Sequence, residues 1–273
     1  MFKTRLLSGV LLVIAALVTI IIGDILLFGL TLIISLLGFS ELLRIFKVEK
    51  SLLGLCGYAF AVLHFLFVRF GELLPSLLVD YYMVIIILYI IVLMTVMVLT
   101  YPKYKVEQIL ATFFGFFYVV VMLSFIYQVR MLPLGAFTVW LIFICSWGSD
   151  TSAYCAGMTL GKRKLAPVLS PKKSVEGAIG GVLGAALLGF LYALAINHFA
   201  AVEVGLVSFA IIGAIGSVIS QIGDLAASAF KRYYDIKDYG SLIPGHGGIL
   251  DRFDSVIFTA PVIFILVNVL GMA

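Results

Sequence analysis

The sequence predicts an all-α polytopic integral membrane protein that forms one transmembrane domain over residues 1–273. Two observations predict this class: 63% of the 273 residues are hydrophobic while only 12% are charged, and the apolar runs are long and unbroken. Soluble domains are about 45–50% apolar and about 25% charged, so the composition excludes a soluble enzyme. It also excludes a disordered chain, which has few apolar residues. The long runs exclude a transmembrane barrel, which is built from short alternating strands.

Nine apolar runs meet the requirement of about 20 mostly apolar residues for a membrane-spanning helix. In chain order, these predicted spans cover approximately residues 5–22, 25–46, 52–70, 77–100, 106–128, 133–160, 177–197, 205–232 and 254–272.

The Lys and Arg residues predict the orientation, because cytoplasmic segments carry an excess of both. With the N-terminus inside and the C-terminus outside, 16 of the 18 lie in cytoplasmic segments, and only Arg69 and Arg130 lie outside. These cations form short clusters between apolar runs. The net charge of +4 therefore indicates membrane topology, and we expect no nucleic-acid partner.

Polar residues suited to chemistry concentrate in two segments, 146–176 and 217–254. We therefore expect residues 1–130 to form scaffold helices and residues 133–273 to hold the catalytic helices and cytoplasmic loops. In the first segment Asp150 lies inside an otherwise apolar helix, where a carboxylate is costly unless it is paired, faces water or holds a cation. Asp150 is thus a functional candidate. The alternative is a buried carboxylate bonded to neighbouring hydroxyls.

Later in that segment, the sequence predicts a loop that turns into a helix. Ser170 is the expected helix cap and Pro171 the expected first helical residue. Backbone N–H groups at such a start, together with Lys172 and Lys173, would bind an anion. The alternative is that the two lysines only mark the inner membrane face.

In the eighth predicted span, polar residues recur at spacings of four, three, four and three, which places them on one helix face. They are Ser217, Gln221, Asp224, Ser228 and Lys231. A Gly-rich run at 244–248 follows, and its bare backbone would let a phosphate approach closely. Asp251 and Asp254 come one helical turn apart and could flank a cation. Carboxylates and cations gathered in this way are typical of phosphoryl transfer with Mg²⁺, which binds one or two carboxylates plus substrate phosphates.

These residues resemble the signature of phosphatidate cytidylyltransferases (CDP-diacylglycerol synthases). The signature is carried by Ser-Ala-Phe-Lys-Arg at 228–232, Lys-Asp at 237–238, Pro-Gly-His-Gly-Gly at 244–248 and Asp-Arg-x-Asp at 251–254. Residues 149–154 and 170–177 are similar to two other segments that recur in that family. The resemblance implies that CTP and phosphatidic acid give CDP-diacylglycerol and pyrophosphate. It further implies Mg²⁺ as cofactor (with a second cation left open), membrane lipids around the protein, a homodimer, and a site facing the cytoplasm from the inner membrane.

Site residues follow from the resemblance together with the chemistry above. The expected catalytic residues are Asp224, Asp251, Lys172, Lys173 and His246. The expected substrate-binding residues are Ser170, Ser228, Lys231, Arg232, Lys237, Asp238, Gly247, Gly248 and Arg252. The expected metal ligands are Asp224 and Asp251, with Asp150, Glu176 and Asp254 as further candidates.

Two other functions stay open at the level of sequence. The nearer alternative is a CTP-dependent polyprenol or phytol kinase, or an enzyme that acts on another lipid phosphate. Such an enzyme would share a membrane CTP site, and a kinase would leave only a phosphate on the lipid. A secondary transporter would use Asp150 and Asp224 as coupling-ion sites, although the sequence lacks the internal repeat common in that class.

Overall fold

The computed structural model describes residues 14–71, 82–200, 202–243, 245 and 247–271. Residues 14–22 are helical. The helices that follow are α1 (Asp24–Ile45), α2 (Leu52–Phe70), α3 (Tyr82–Leu99), α4 (Val106–Met131), α5 (135–160), α6 (Val175–Phe199), α7 (Leu206–Tyr233) and α8 (Leu250–Val269). Helix α4 contains a π-helical segment at Phe116–Val121, and α5 contains one at Ile144–Gly148. Between α5 and α6, strands β1 (Lys164–Ala166) and β2 (Ser170–Ser174) form an antiparallel pair.

Six helices in the described ranges are long and apolar enough to cross a membrane: α1, α2, α4, α6, α7 and α8. This supports the predicted all-α integral membrane class. The predicted spans 5–22 and 77–100 lie partly outside the described residues, and Met83–Leu99 forms a shorter apolar helix. The predicted span 133–160 corresponds to α5, whose second half is polar. The count of nine spans and the orientation of the termini stay predictions.

The two arginines that depart from the predicted charge pattern both have partners inside the molecule. Arg69 Nη2 lies 2.8 Å from Asp24 Oδ1. Arg130 Nε donates a hydrogen bond to the Ile20 carbonyl at 3.0 Å. Since Ile20 and Asp24 are one turn apart in sequence, both arginines lie at one end of the bundle. There Arg69 ties α2 to the start of α1, and Arg130 ties α4 to the helical segment before it.

Segments predicted to share the cytoplasmic side also lie together. Gln108 Nε2 donates to the Phe46 carbonyl at 2.9 Å, and the Phe46 ring packs edge-on against Tyr234 with centroids 5.2 Å apart. The ends of α1 and α7 and the start of α4 therefore meet, which is the arrangement that the charge pattern predicts for one membrane face.

Small residues let α5, α6 and α7 pack closely, and this packing positions the site. A Cβ at Gly180 would lie 2.2 Å from the Ala156 side chain, and a Cβ at Gly213 would lie 2.4 Å from the Ala185 carbonyl oxygen. Such contacts are too short for any side chain, so glycine is required where these helices cross. The polar half of α5 is thereby held against α6, and α6 is held against α7.

Candidate active site

The polar stripe of α7 faces protein, as its spacing predicts. Ser217 Oγ lies 2.6 Å from Ser149 Oγ of α5. Gln221 Nε2 donates to the Ala178 carbonyl of α6 at 3.1 Å and to Ser217 Oγ at 3.3 Å. These hydrogen bonds join α7 to α5 and α6. Asp224, the next residue of the stripe, therefore points toward the same side of α7.

Asp224 meets a lysine from the hairpin. Lys173 Nζ of β2 contacts Asp224 Oδ2 directly, and the two side chains are 28% and 25% exposed. Both side chains line a cavity of about 440 Å³. The other lining residues are Asp150, Ala153, Tyr154, Gly157, Met158, Leu165, Lys172, Ser174, Gly177, Ala178 and Gln221. The cavity thus brings together two carboxylates and two lysines among side chains that are mostly small or apolar.

The electrostatics around Lys173 are those of a cation shared among several acids. Burial lowers the pKa of the Lys173 amine, while the carboxylates of Asp150 and Asp254 act in the opposite direction. The direct contact with Asp224 also favours the charged ammonium. Lys173 is therefore the local counter-ion of an acidic cluster contributed by α5, α7 and α8.

A second lysine–aspartate pair joins α7 to α8. Lys231 Nζ lies 3.0 Å from Asp251 Oδ1. Asp251 Oδ2 accepts hydrogen bonds from the backbone N–H groups of Tyr239 at 2.8 Å and Gly248 at 3.0 Å. The Tyr239 hydroxyl in turn donates to the Ala227 carbonyl at 3.1 Å. Asp251 therefore links the end of α7 to residues near both ends of the loop between α7 and α8.

The predicted helix start at Ser170 and Pro171 is wrong. Residues 170–174 form β2, with Ala166 opposite Ser170 and Lys164 opposite Ser174. Helix α6 begins only at Val175, because Ser174 is the side chain that caps it: its Oγ accepts from the Gly177 N–H at 3.1 Å. The two lysines therefore lie on a strand, and the expected anion site at that helix start does not form.

Three further metal candidates differ in their surroundings. Glu176 accepts hydrogen bonds from the backbone of Lys162 at 3.0 Å and of Arg163 at 3.2 Å, so it closes the base of the hairpin. Asp254 is buried, and its Oδ1 accepts from the Ser255 N–H at 2.8 Å. Asp150 is exposed and lines the cavity beside Lys173.

The remaining predicted substrate-binding residues lie on β2, at the end of α7, in the loop that follows it and at the start of α8. Arg232, Lys237, Asp238 and Arg252 are exposed, Ser170, Ser228 and Gly247 are half-buried, and Gly248 is buried. His246, one of the expected catalytic residues, lies outside the described residues.

The sequence matches the cytidylyltransferase family over residues 3–270. It is 33% identical to a protein of Bacillus subtilis (strain 168) named phosphatidate cytidylyltransferase, over 97% of each chain. Proteins of the same name from Thermotoga maritima and Haemophilus influenzae are 36% and 43% identical, over 62% and 46% of this chain and 63% and 44% of their own.

The chain belongs to the cytidylyltransferase family. It is therefore an enzyme, a nucleotidyltransferase, and the resemblance drawn from its motifs is confirmed. The match runs almost from end to end, so it includes the helices predicted as scaffold as well as the polar segments.

The described residues of this cytidylyltransferase contain no group of three or more His, Cys, Asp or Glu side chains placed to hold a metal by themselves. Mg²⁺ usually takes one or two protein carboxylates and completes its shell with water and substrate phosphates, so one or two suitably placed carboxylates are what its binding requires. Asp150 and Asp224 fit that requirement, since both line the cavity and neither is saturated by hydrogen bonds from described residues. Asp251 fits it less well, because each of its oxygens already has a donor.

One residue of the site escaped the sequence reasoning. Glu41, in the region predicted as scaffold, is 3% exposed and binds the start of α8. It is an acid in the interior of an otherwise apolar helix, which is the same signal that singled out Asp150. Applied to α1, that signal would have found it.

Proposed function

We propose that the chain is a phosphatidate cytidylyltransferase, which makes CDP-diacylglycerol and pyrophosphate from CTP and phosphatidate with Mg²⁺. The observation that carries this proposal is the cavity in which Lys173, Asp224 and Asp150 meet. The full-length relative from Bacillus subtilis supports the choice of substrates through its name.

In the proposed reaction, a phosphate oxygen of phosphatidate attacks the α-phosphorus of CTP and forms a new P–O bond. The bond between that phosphorus and the oxygen bridging to the β-phosphate breaks, and pyrophosphate leaves with the electron pair. A phosphate oxygen at neutral pH already carries charge, so it needs no strong general base. The main task of the protein is to bring two anions together and to stabilise charge on the leaving group.

Lysines and carboxylates divide this task. Lys173 and Lys172 would bind the triphosphate and stabilise the departing pyrophosphate. Asp224 and Asp150 would hold Mg²⁺ with phosphate oxygens, and the bound ion would neutralise charge on both substrates. The prediction that Asp251 is a metal ligand remains to be tested. Its hydrogen bonds favour instead a role in placing Lys231, which would hold a substrate phosphate.

The cavity also suits a substrate that remains in the membrane. Tyr154 and Met158 of α5 line it and are 66% and 63% exposed, in a helix that lies among apolar spans. Acyl chains could therefore stay in the bilayer while the lipid phosphate reaches Lys173. The charge pattern supports a cytoplasmic site in the inner membrane, where CTP is available. We further propose that the enzyme works as a homodimer.

Product analysis with two labels tests the proposal. The purified wild-type protein would be incubated in detergent with phosphatidate, Mg²⁺ and CTP labelled at either the α- or the γ-phosphate. We expect the α-label in CDP-lipid and the γ-label in pyrophosphate. A CTP-dependent kinase would instead transfer the γ-label to the lipid. A transporter would show uptake into proteoliposomes without turnover, and either outcome would refute the proposal.

A further inference from the structure

Glu41 makes a long-range contact that the proposed reaction does not itself require. Its Oε1 accepts a hydrogen bond from the Ile249 N–H and its Oε2 from the Leu250 N–H, each at 2.9 Å. These are among the first N–H groups of α8, which have no partner within their own helix. The carboxylate lies at the positive end of the helix dipole, where a negative charge is stabilising. A side chain 208 residues earlier in the chain thus caps α8.

The loop between α7 and α8 is shaped around this carboxylate. A Cβ at Gly240 would lie 2.4 Å from Glu41 Oε1, and a Cβ at Gly248 would lie 2.4 Å from Glu41 Oε2. Any other residue at either position would push the carboxylate away. Both glycines, one of which belongs to the Gly-rich run, therefore serve to admit Glu41 from α1. This gives them a role besides the phosphate approach that the sequence predicts.

The contacts of Glu41 lead directly to the second lysine–aspartate pair. Leu250 precedes Asp251 in the first turn of α8, and the Gly248 N–H that flanks the Glu41 carboxylate donates to Asp251 Oδ2. Asp251 in turn holds Lys231 Nζ. Displacement of Glu41 would release the turn that carries Asp251 and would change the direction of the Lys231 ammonium.

We propose that Glu41 is a positioning residue for cytidylyl transfer. It fixes the start of α8, so that Asp251 and Lys231 keep their positions relative to the cavity. This rests on the proposed function. Residues 1–130 are then part of the active-site framework, since α1 supplies the group on which the loop between α7 and α8 is folded.

Glu41→Gln tests the proposal with almost no change in volume. The amide keeps one acceptor but turns an NH₂ group toward a backbone N–H, so one of the two hydrogen bonds is lost. A displacement of about 1 Å at reacting groups costs about 100-fold in rate. We therefore expect kcat to fall by about 100-fold while KM for CTP changes by less than about threefold. Glu107→Gln, an exposed glutamate in the first turn of α4, is the matched control and should behave as wild type.

Hydrogen exchange measured by mass spectrometry gives a readout that does not depend on catalysis. In folded Glu41→Gln, amides of residues 239–243 and 247–250 should exchange faster than in wild type, while amides of α6 should not change. Gly240→Ala should reproduce both effects, because its Cβ displaces the same carboxylate. In the Glu41→Ala background, Gly240→Ala should add little further loss, since the clash is gone. If Glu41→Gln does not fold, Gly240→Ala and the double variant carry the test.

The proposal is overturned if folded Glu41→Gln keeps its kcat within about threefold of wild type. It is overturned as well if the losses of kcat in Glu41→Ala and Gly240→Ala add up in the double variant. It is also overturned if exchange rises throughout the molecule, which would indicate a purely structural residue. If the wild type itself makes no CDP-lipid, the proposed function fails. The exchange experiment would still report whether Glu41 fixes the loop.

Discussion

Two lysine–aspartate pairs lie in the C-terminal half of the molecule, and they differ in exposure and in hydrogen bonding. In the Lys173–Asp224 pair both side chains are about one-quarter exposed, and both line the cavity. In the Lys231–Asp251 pair the aspartate side chain is only 2% exposed and accepts hydrogen bonds from two backbone N–H groups besides the lysine. The Lys173–Asp224 pair is thus partly exposed and has few hydrogen bonds, whereas Asp251 in the other pair is buried and both of its carboxylate oxygens accept hydrogen bonds.

This difference separates ligand binding from architecture. A partly exposed ion pair contributes little to stability and can exchange its partners for a ligand at low cost. A buried pair with further hydrogen bonds is costly to break, because either partner alone is left as an uncompensated charge. We infer that the Lys173–Asp224 pair opens to admit substrates, whereas the Lys231–Asp251 pair stays intact and holds the loop.

The largest expected effect is the loss of turnover in Asp224→Asn. The substitution removes the charge of a proposed metal ligand and of the partner of Lys173. We therefore expect kcat to fall by about 10²–10³-fold, as for other single electrostatic groups in active sites. The free energy of unfolding should change little, because the side chains of the Lys173–Asp224 pair are partly exposed to solvent. Turnover of CTP and denaturant unfolding in detergent would be measured on one preparation. Asp235→Asn, at an exposed position just after α7, is the matched control.

Unfolding of the Asp224→Asn protein would contradict this role of the Lys173–Asp224 pair, because the pair would then be structural. Wild-type turnover in the variant would contradict it too, because the cavity would then not be the site.

A smaller effect on turnover and a larger one on stability are expected for Asp251→Asn. The substitution leaves Lys231 unpaired in a half-buried position and weakens the bonds to Tyr239 and Gly248. Breaking a buried pair costs about 3–5 kcal/mol, and we expect a loss near the lower end because Lys231 retains some exposure. Thermal or denaturant unfolding of the variant measures this loss. An unchanged unfolding free energy would contradict the architectural role of the pair.

The sequence predicted helices well where apolar runs were about 20 residues long. The predicted spans 52–70 and 205–232 correspond to Leu52–Phe70 and Leu206–Tyr233. The polar stripe that contains Gln221 and Asp224 was also predicted, because its spacing is a local property of one helix. Side chains on such a stripe must face protein or water, and they do.

The hairpin and the caps were not predicted, for physical reasons. Residues 164–174 are too short and too polar for periodicity to distinguish a strand from a loop, and the choice depends on pairing between β1 and β2. The role of Glu41 depends on α8, far away in the chain, and the saturation of Asp251 depends on a loop that only tertiary packing closes. Local sequence indicates which residues can do chemistry, but it does not show which of them already use their hydrogen-bonding groups within the folded protein.

Binding of Mn²⁺, a spectroscopic substitute for Mg²⁺, in the presence of CTP distinguishes the two lysine–aspartate pairs most directly. Wild type, Asp224→Asn and Asp251→Asn would be compared by electron paramagnetic resonance, using only folded protein. We expect Asp224→Asn to weaken Mn²⁺ binding by at least about tenfold, whereas Asp251→Asn should bind Mn²⁺ as wild type does. Loss of Mn²⁺ binding in Asp251→Asn with retention in Asp224→Asn would contradict the assignment of Asp224 as a metal ligand, because the buried pair would then be the metal site.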